Sequence, residues 1–153
     1  MPQHRETRIL PWTPEQMFDL VADIRRYPEF LPWVAAVRIR EDDGQRIVAD
    51  MSVGFRALRE TFTSEVRLTR PRHVDVDYVS GPLKRLHNDW YFEPADNGGT
   101  LLRFSVDFEF RSRIFEKLAG AVFHEAFKRM VASFEARARE LYGNSSRNAT
   151  SVA

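Results

Sequence analysis

Between Trp33 and Phe110 the sequence alternates apolar with polar residues, with turn signals at short intervals, and after Phe110 the alternation ends. A period of two sends successive side chains to opposite faces, so this stretch reads as a meander of half-buried strands. Val34 to Arg40 is the first, closed by the hairpin turn Asp42-Asp43-Gly44. Ile47, Ala49, Met51, Val53 and Phe55 share one face of the next, and Phe62, Ser64, Val66 and Leu68 one face of its successor. Arg70-Pro71-Arg72 turns the chain into Val74, Val76 and Tyr78, and Gly81-Pro82 breaks that run. Leu86, Asn88, Trp90 and Phe92 then alternate up to the turn Asp96-Asn97-Gly98-Gly99. Leu102, Phe104, Val106, Phe108 and Phe110 complete the series.

The C-terminal part of the chain has a helical period instead. Ser112 reads as the N-cap of a helix running to about Tyr142, with Gly143 as its stop. Such a helix is on the order of 45 Å long. Its apolar residues, among them Phe115, Phe123, Phe127, Met130 and Phe134, recur at three- and four-residue steps. The stripe is broad and Phe-rich rather than strictly heptad, which favours packing on a sheet over a dimer seam. A sheet with one apolar face must bury it, and this helix is the only long apolar surface available. The predicted fold is therefore α+β: a curved antiparallel sheet of about six or seven strands gripping a long C-terminal helix.

The N-terminal part fits the same plan. Gln3 to Leu10 reads as an edge strand, and Thr13-Pro14-Glu15-Gln16 carries the signals of a capped helix start. Asp23 is placed to cap a second short helix, which Tyr27-Pro28 would interrupt or end. One domain is expected over 3–142, with a polar, aperiodic and disordered tail at 143–153.

Composition narrows the chemistry. With no Cys, disulfides, thiol catalysis and thiolate metal sites are excluded. The 23 basic and 22 acidic residues nearly cancel, without the basic stripe expected of a DNA or RNA binder. No apolar run is long enough to span a bilayer, and no leader-like segment opens the sequence, so a cytoplasmic location is expected. His4, His73, His87 and His124 sit in no metal-binding spacing, and neither a phosphate loop nor a nucleophile elbow occurs. His124-Glu125 is the nearest approach to an acid–base pair, yet successive helix positions diverge by about 100°. No catalytic residues, no metal and no cofactor are assigned, and the chain reads as a non-enzyme.

The remaining lead is shape. Phe62, Val66, Leu86, Trp90, Phe104 and Phe108 on the sheet would face Phe123, Phe127 and Met130 on the helix. These side chains either fill the grip as a solid core or line an apolar cavity; the pattern serves both. Asn88 is in phase with Leu86 and Trp90, so its amide points inward and needs either a backbone partner or a ligand carbonyl.

Tyr27-Pro28-Glu29-Phe30-Leu31-Pro32-Trp33, preceded by Phe18-Asp19-Leu20-Val21-Ala22-Asp23, resembles the N-terminal block of the coenzyme Q-binding START-like family. Phe62-Thr63-Ser64-Glu65-Val66, the run from Gly81 to Phe92, and Phe108-Glu109-Phe110 look like its later blocks. The family belongs to the polyketide cyclase/dehydrase-like superfamily, and the resemblance covers about residues 3–142. Two departures keep apolar character: Val34 stands where many members have Cys, and Leu83, at the cavity rim, where many have Phe.

The resemblance implies a START/Bet v 1-like helix-grip and a protein that binds ubiquinone or a related polyprenyl lipid, for respiration or quinone synthesis. With no membrane anchor in the sequence, contact with a bilayer is expected to be transient, at the periphery of the inner membrane. The family also includes ribosome-association toxins acting on the large ribosomal subunit, and cyclases or hydrolases share the fold. The cavity mouth is expected near the short helices and the Gly81-Pro82 loop, where connections can move. Tyr27, Phe30, Leu31 and Trp33 are then either a lid or membrane-facing patch, or a staple that holds the short helices to the sheet. Asn88 and Arg85 are the candidates for the head group.

Overall fold

The structure is a computed structural model and describes residues 3–55 and 58–143. In chain order it has β1 (Gln3–Leu10), α1 (Pro14–Ala22), a 3-10 helix (Ile24–Glu29), β2 (Val34–Asp42), β3 (Arg46–Phe55), β4 (Leu58–Thr69), β5 (His73–Ser80), β6 (Leu83–Pro94), β7 (Thr100–Phe110) and α2 (Arg113–Tyr142). The seven strands form one antiparallel sheet in the order β1-β7-β6-β5-β4-β3-β2. Consecutive strands from β2 to β7 pair with their neighbours, as short turns require, and β1 closes the far edge against β7.

Local chemistry explains the boundaries. Gln16 N–H donates to Thr13 Oγ1 at 3.1 Å while Thr13 N–H donates to Gln16 Oε1 at 2.9 Å, a reciprocal capping box that starts α1. Ser112 Oγ accepts from Phe115 N–H at 3.0 Å, and Gly143, with φ +86°, ends α2. Asp23 departs from expectation: it precedes the 3-10 helix without any side-chain capping bond, and Pro28 lies inside that helix rather than ending it. A 3-10 turn is so short that Pro28 interrupts little of its bonding. At the β6–β7 turn a Cβ on Gly99 would stand 1.9 Å from the Leu10 carbonyl oxygen, so only glycine permits that approach of β1.

The core lies between the concave face of the sheet and α2, and its largest fully buried side chains include Trp12, Phe92, Phe108 and Phe134. The grip is uneven along the helix. Its C-terminal half is fastened: Trp12 Nε1 donates to the Gly143 carbonyl at 3.1 Å and the Tyr142 hydroxyl to the Gln16 carbonyl at 3.2 Å. Glu135 pairs with Arg8, and Arg137 with Glu29. Between Arg113 and Lys128, among the described residues, no side-chain hydrogen bond or ion pair reaches another element. The backbone of α2 runs closest to α1, β1 and β7, which leaves the β2–β4 side of the grip less tightly covered. The tail expected to be disordered, 143–153, lies outside the described residues apart from Gly143.

Candidate functional site

Where α2 leans away from β2–β4, the concave face keeps an apolar cavity of about 130 Å³. Its walls come from the inward positions of β3 (Ala49, Met51, Val53), β4 (Phe62, Ser64, Val66), β5 (Val74, Val76) and β6 (Leu86, Asn88, Trp90), with Phe104 of β7. The roof is one flank of α2: Val122, Phe123, Ala126, Phe127, Met130 and Phe134. Ile24, Tyr27, Leu31, Trp33 and Val34 close the end next to the 3-10 helix. A space of this order resembles an engineered cavity of roughly 150 Å³ that takes up benzene, so it matches one ring-sized apolar group.

Nine of the eleven residues expected at the cavity line it: Phe62, Val66, Leu86, Asn88, Trp90, Phe104, Phe123, Phe127 and Met130. Leu83 and Phe108 do not. Leu83 is fully buried at the start of β6, where its N–H donates to the Tyr78 hydroxyl and its carbonyl accepts from it, both at 2.9 Å. Phe108 sits on β7, the side toward which α2 leans, and packs as solid core between Phe110, Phe127 and His124. Arg85 is not among the lining residues either. Two residues before His87, Arg85 shares the outer face of β6 with His87 and Asp89 and pairs with Glu109 at 3.3 Å.

The four residues of the 3-10 segment are built inward. Leu31 and Trp33 are buried, and the Tyr27 and Phe30 rings meet Phe134 edge-on at 5.4 and 5.1 Å. The Tyr27 hydroxyl donates to the Val21 carbonyl, and burial pushes its phenol pKa far up. Phe30 does not line the cavity; its ring lies 5.2 Å from the Arg137 guanidinium. In this conformation Tyr27, Leu31 and Trp33 form the end wall of the cavity. Gly81 and Pro82 are absent from the lining as well. A Cβ on Gly81 would meet the Tyr78 hydroxyl at 2.9 Å, so that turn is packed tight rather than poised as a mouth.

Besides Tyr27, whose hydroxyl is engaged with Val21, the polar side chains Asn88 and Ser64 line the cavity, and among the described residues neither makes a side-chain hydrogen bond. Asn88 pairs across the sheet with Val76 and Val106, so its amide stands in an apolar belt. Ser64 is a lining residue that the sequence reading does not single out, although it is in phase with Phe62 and Val66. The β3 and β5 residues are equally legible as inward positions. Only the lean of α2, which leaves them uncovered, has no sequence signal.

The convex face is chemically separate. Sheet register sets Asp75 opposite Asp89 and Asp77 opposite His87. His87 Nδ1 lies 2.7 Å from Asp77 and its Nε2 2.9 Å from Asp89, while His73 Nε2 lies 2.7 Å from the other Asp89 oxygen. Donor atoms of His73, Asp75 and Asp89, and of Asp75, Asp77 and His87, converge within 4.8 Å. Spacing rules based on the sequence miss such groupings, because the sheet assembles them across strands. Among the described residues, no helix is long and apolar enough to cross a membrane.

Residues 10–135 match the family described as "Polyketide cyclase / dehydrase and lipid transport". A ribosome association toxin RatA of Rickettsia prowazekii is 38% identical over 141 residues, spanning 90% of this chain and 96% of that protein. The mitochondrial coenzyme Q-binding protein COQ10 homolog B of Xenopus laevis is 32% identical over 145 residues, 92% of this chain and 59% of that protein. Among solved structures, the Zhui aromatase/cyclase from Streptomyces sp. R1128 superposes with a TM-score of 0.80, covering 94% of this chain and 98% of that one. At 17% identity that likeness speaks for the fold alone. An antiparallel sheet gripping a C-terminal helix around an apolar cavity, together with these matches, places the chain in the polyketide cyclase/dehydrase and lipid-transport family.

Proposed function

We propose that this protein binds ubiquinone or a related polyprenyl lipid in the cavity and carries it without transforming it. The observation that supports this most is the half-buried Asn88 amide, which faces an apolar chamber and makes no side-chain hydrogen bond among the described residues. An amide N–H without a protein partner is free to donate, and a quinone carbonyl within reach would accept that hydrogen bond. The chamber takes a ring-sized group, so the tail has to leave along the flank of α2 at Val122, Ala126 and Met130. That flank belongs partly to the half of the helix with no polar tether. Burial of isoprene units at about 25 cal/mol per Å² supplies affinity without further polar contacts. Tyr27 is the only ionisable side chain among the described lining residues, and it is engaged with Val21. The coenzyme Q-binding relative supports the same reading.

The likeness to RatA proteins favours a second reading, association with the large ribosomal subunit. One experiment separates the two. The protein is purified from its host, extracted into organic solvent and analysed by mass spectrometry, while a parallel sample is sedimented with large ribosomal subunits. Recovery of a polyprenyl quinone supports carriage. Stoichiometric co-sedimentation with an empty organic phase overturns it in favour of the ribosomal role.

A further inference from the structure

The outer surface of α2 changes character along its length. Ile114 and Leu118 are 74% and 72% exposed, one helical turn apart on the same face. Continued in four-residue steps, this row becomes Val122, Ala126 and Met130, which line the cavity. A single apolar ridge therefore winds from open solvent into the chamber. Arg111, Arg113 and Lys117 surround its exposed end, and Glu116 is the only acid from residue 111 to 124. None of the three cations forms an ion pair among the described residues, and all three side chains are exposed.

We propose that the first turns of α2 dock the protein on an anionic bilayer, Ile114 and Leu118 entering the acyl boundary and Arg111, Arg113 and Lys117 meeting the lipid phosphates. Charge complementarity selects this occupant: uncommitted cations around branched aliphatic side chains suit a negative lipid surface. An RNA surface would be met better by aromatic stacking, and these exposed positions offer no ring. The missing polar tethers between Arg113 and Lys128 let this half of the helix shift while Glu135, Arg137, Tyr142 and Gly143 hold the other half. Docking would then place the start of the ridge in the lipid phase, with the chamber at its end. The inference rests on the lipid-carrying reading for what the docking serves, but binding to the surface is measured without cargo.

The test uses delipidated full-length protein and vesicles of phosphatidylcholine, with or without 30 mol% phosphatidylglycerol on the order of a cell membrane's anionic content. Wild-type protein is expected to co-float with the anionic vesicles and to weaken on added salt. The double variant Ile114→Gln/Leu118→Gln should keep its melting temperature, since both side chains are exposed, and lose vesicle affinity about tenfold or more. Arg113→Gln/Lys117→Gln should lose a similar factor and most of the salt dependence. No vesicle binding by the wild type, or binding unchanged in both double variants, overturns the proposal. So does a finding that these variants alter self-association or large-subunit binding instead. Vesicle binding without recoverable quinone would leave the docking face standing and refute the cargo; quinone without vesicle binding would do the reverse.

Discussion

Asn88, half-buried, and Thr100, fully buried, put polar side chains to opposite uses. The Thr100 hydroxyl is fully buried and donates to the Trp12 carbonyl at 2.7 Å, pinning β7 to the segment that leads into α1. Thr100→Val keeps the shape but orphans that carbonyl, so chemical denaturation should show a loss of about 1–3 kcal/mol. Asn88 has no such partner to orphan. Asn88→Leu should leave the melting temperature unchanged or raise it, because a half-buried amide that makes no side-chain hydrogen bond among the described residues is replaced by an apolar side chain. If the amide serves the ligand, quinone affinity measured by fluorescence quenching should fall about fivefold, the worth of one hydrogen bond. A marked loss of stability with unchanged affinity would instead make Asn88 a structural residue.

At the scale of elements, α2 is the part whose packing decides where the cavity lies. Its limits, Ser112 and Gly143, and the strand phases are legible in the sequence because caps and alternation are local signals. The inward faces of β4, β6 and β7 come from period two alone. Phe108 defeats that reading because its phase is right but the lean of α2, a non-local property, covers it with Phe127 and His124. Arg85 is suggested by its place beside the Gly81-Pro82 loop, whereas period two, counted from Leu86, Asn88 and Trp90, already sends it outward with His87 and Asp89. The Tyr27–Trp33 segment fits lid and staple equally at the sequence level, because a motif reports which residues are present, not which way they face. Gly120, buried in the untethered half of α2, offers a direct test of that half. An added Cβ would meet only Glu116 Cγ, at 3.8 Å. Gly120→Ala should therefore raise stability by about 0.5–1 kcal/mol through helix propensity, read as an increased denaturation midpoint. A lower midpoint would show that the helix requires glycine's freedom at this turn.

The whole molecule is two-sided, with apolar rings inside the sheet and an ionic lattice of β4, β5 and β6 outside. That lattice makes stability depend on pH in a stated direction. Around His87 stand Asp75 and Asp77 from β5 and Asp89 from its own strand, with Arg67 of β4 beside Asp75 and Asp77. Burial pulls the His87 pKa down, but hydrogen bonds and charge from Asp77 and Asp89 outweigh it, and the net shift is upward. Asp77 moves the other way: burial raises its pKa, yet His87 and Arg67 bring it below the ordinary carboxylate value. A raised histidine stabilises the fold fully below its unfolded pKa of about 6.5, and loses that contribution as pH climbs through its folded value. A lowered carboxylate stabilises above its unfolded pKa of about 3.9 and loses its contribution as pH falls through the folded value. The urea midpoint should accordingly hold a plateau between about pH 4 and 6.5 and decline toward pH 8. The decline should be shallow, because the imidazole is half-exposed and screened. His87→Gln should lower the plateau and remove the decline above pH 6.5, while vesicle and quinone binding, which use other faces, stay unchanged. A wild-type midpoint that is flat from pH 6 to 8, or one that rises, would show that the convex lattice contributes nothing to holding β5 against β6.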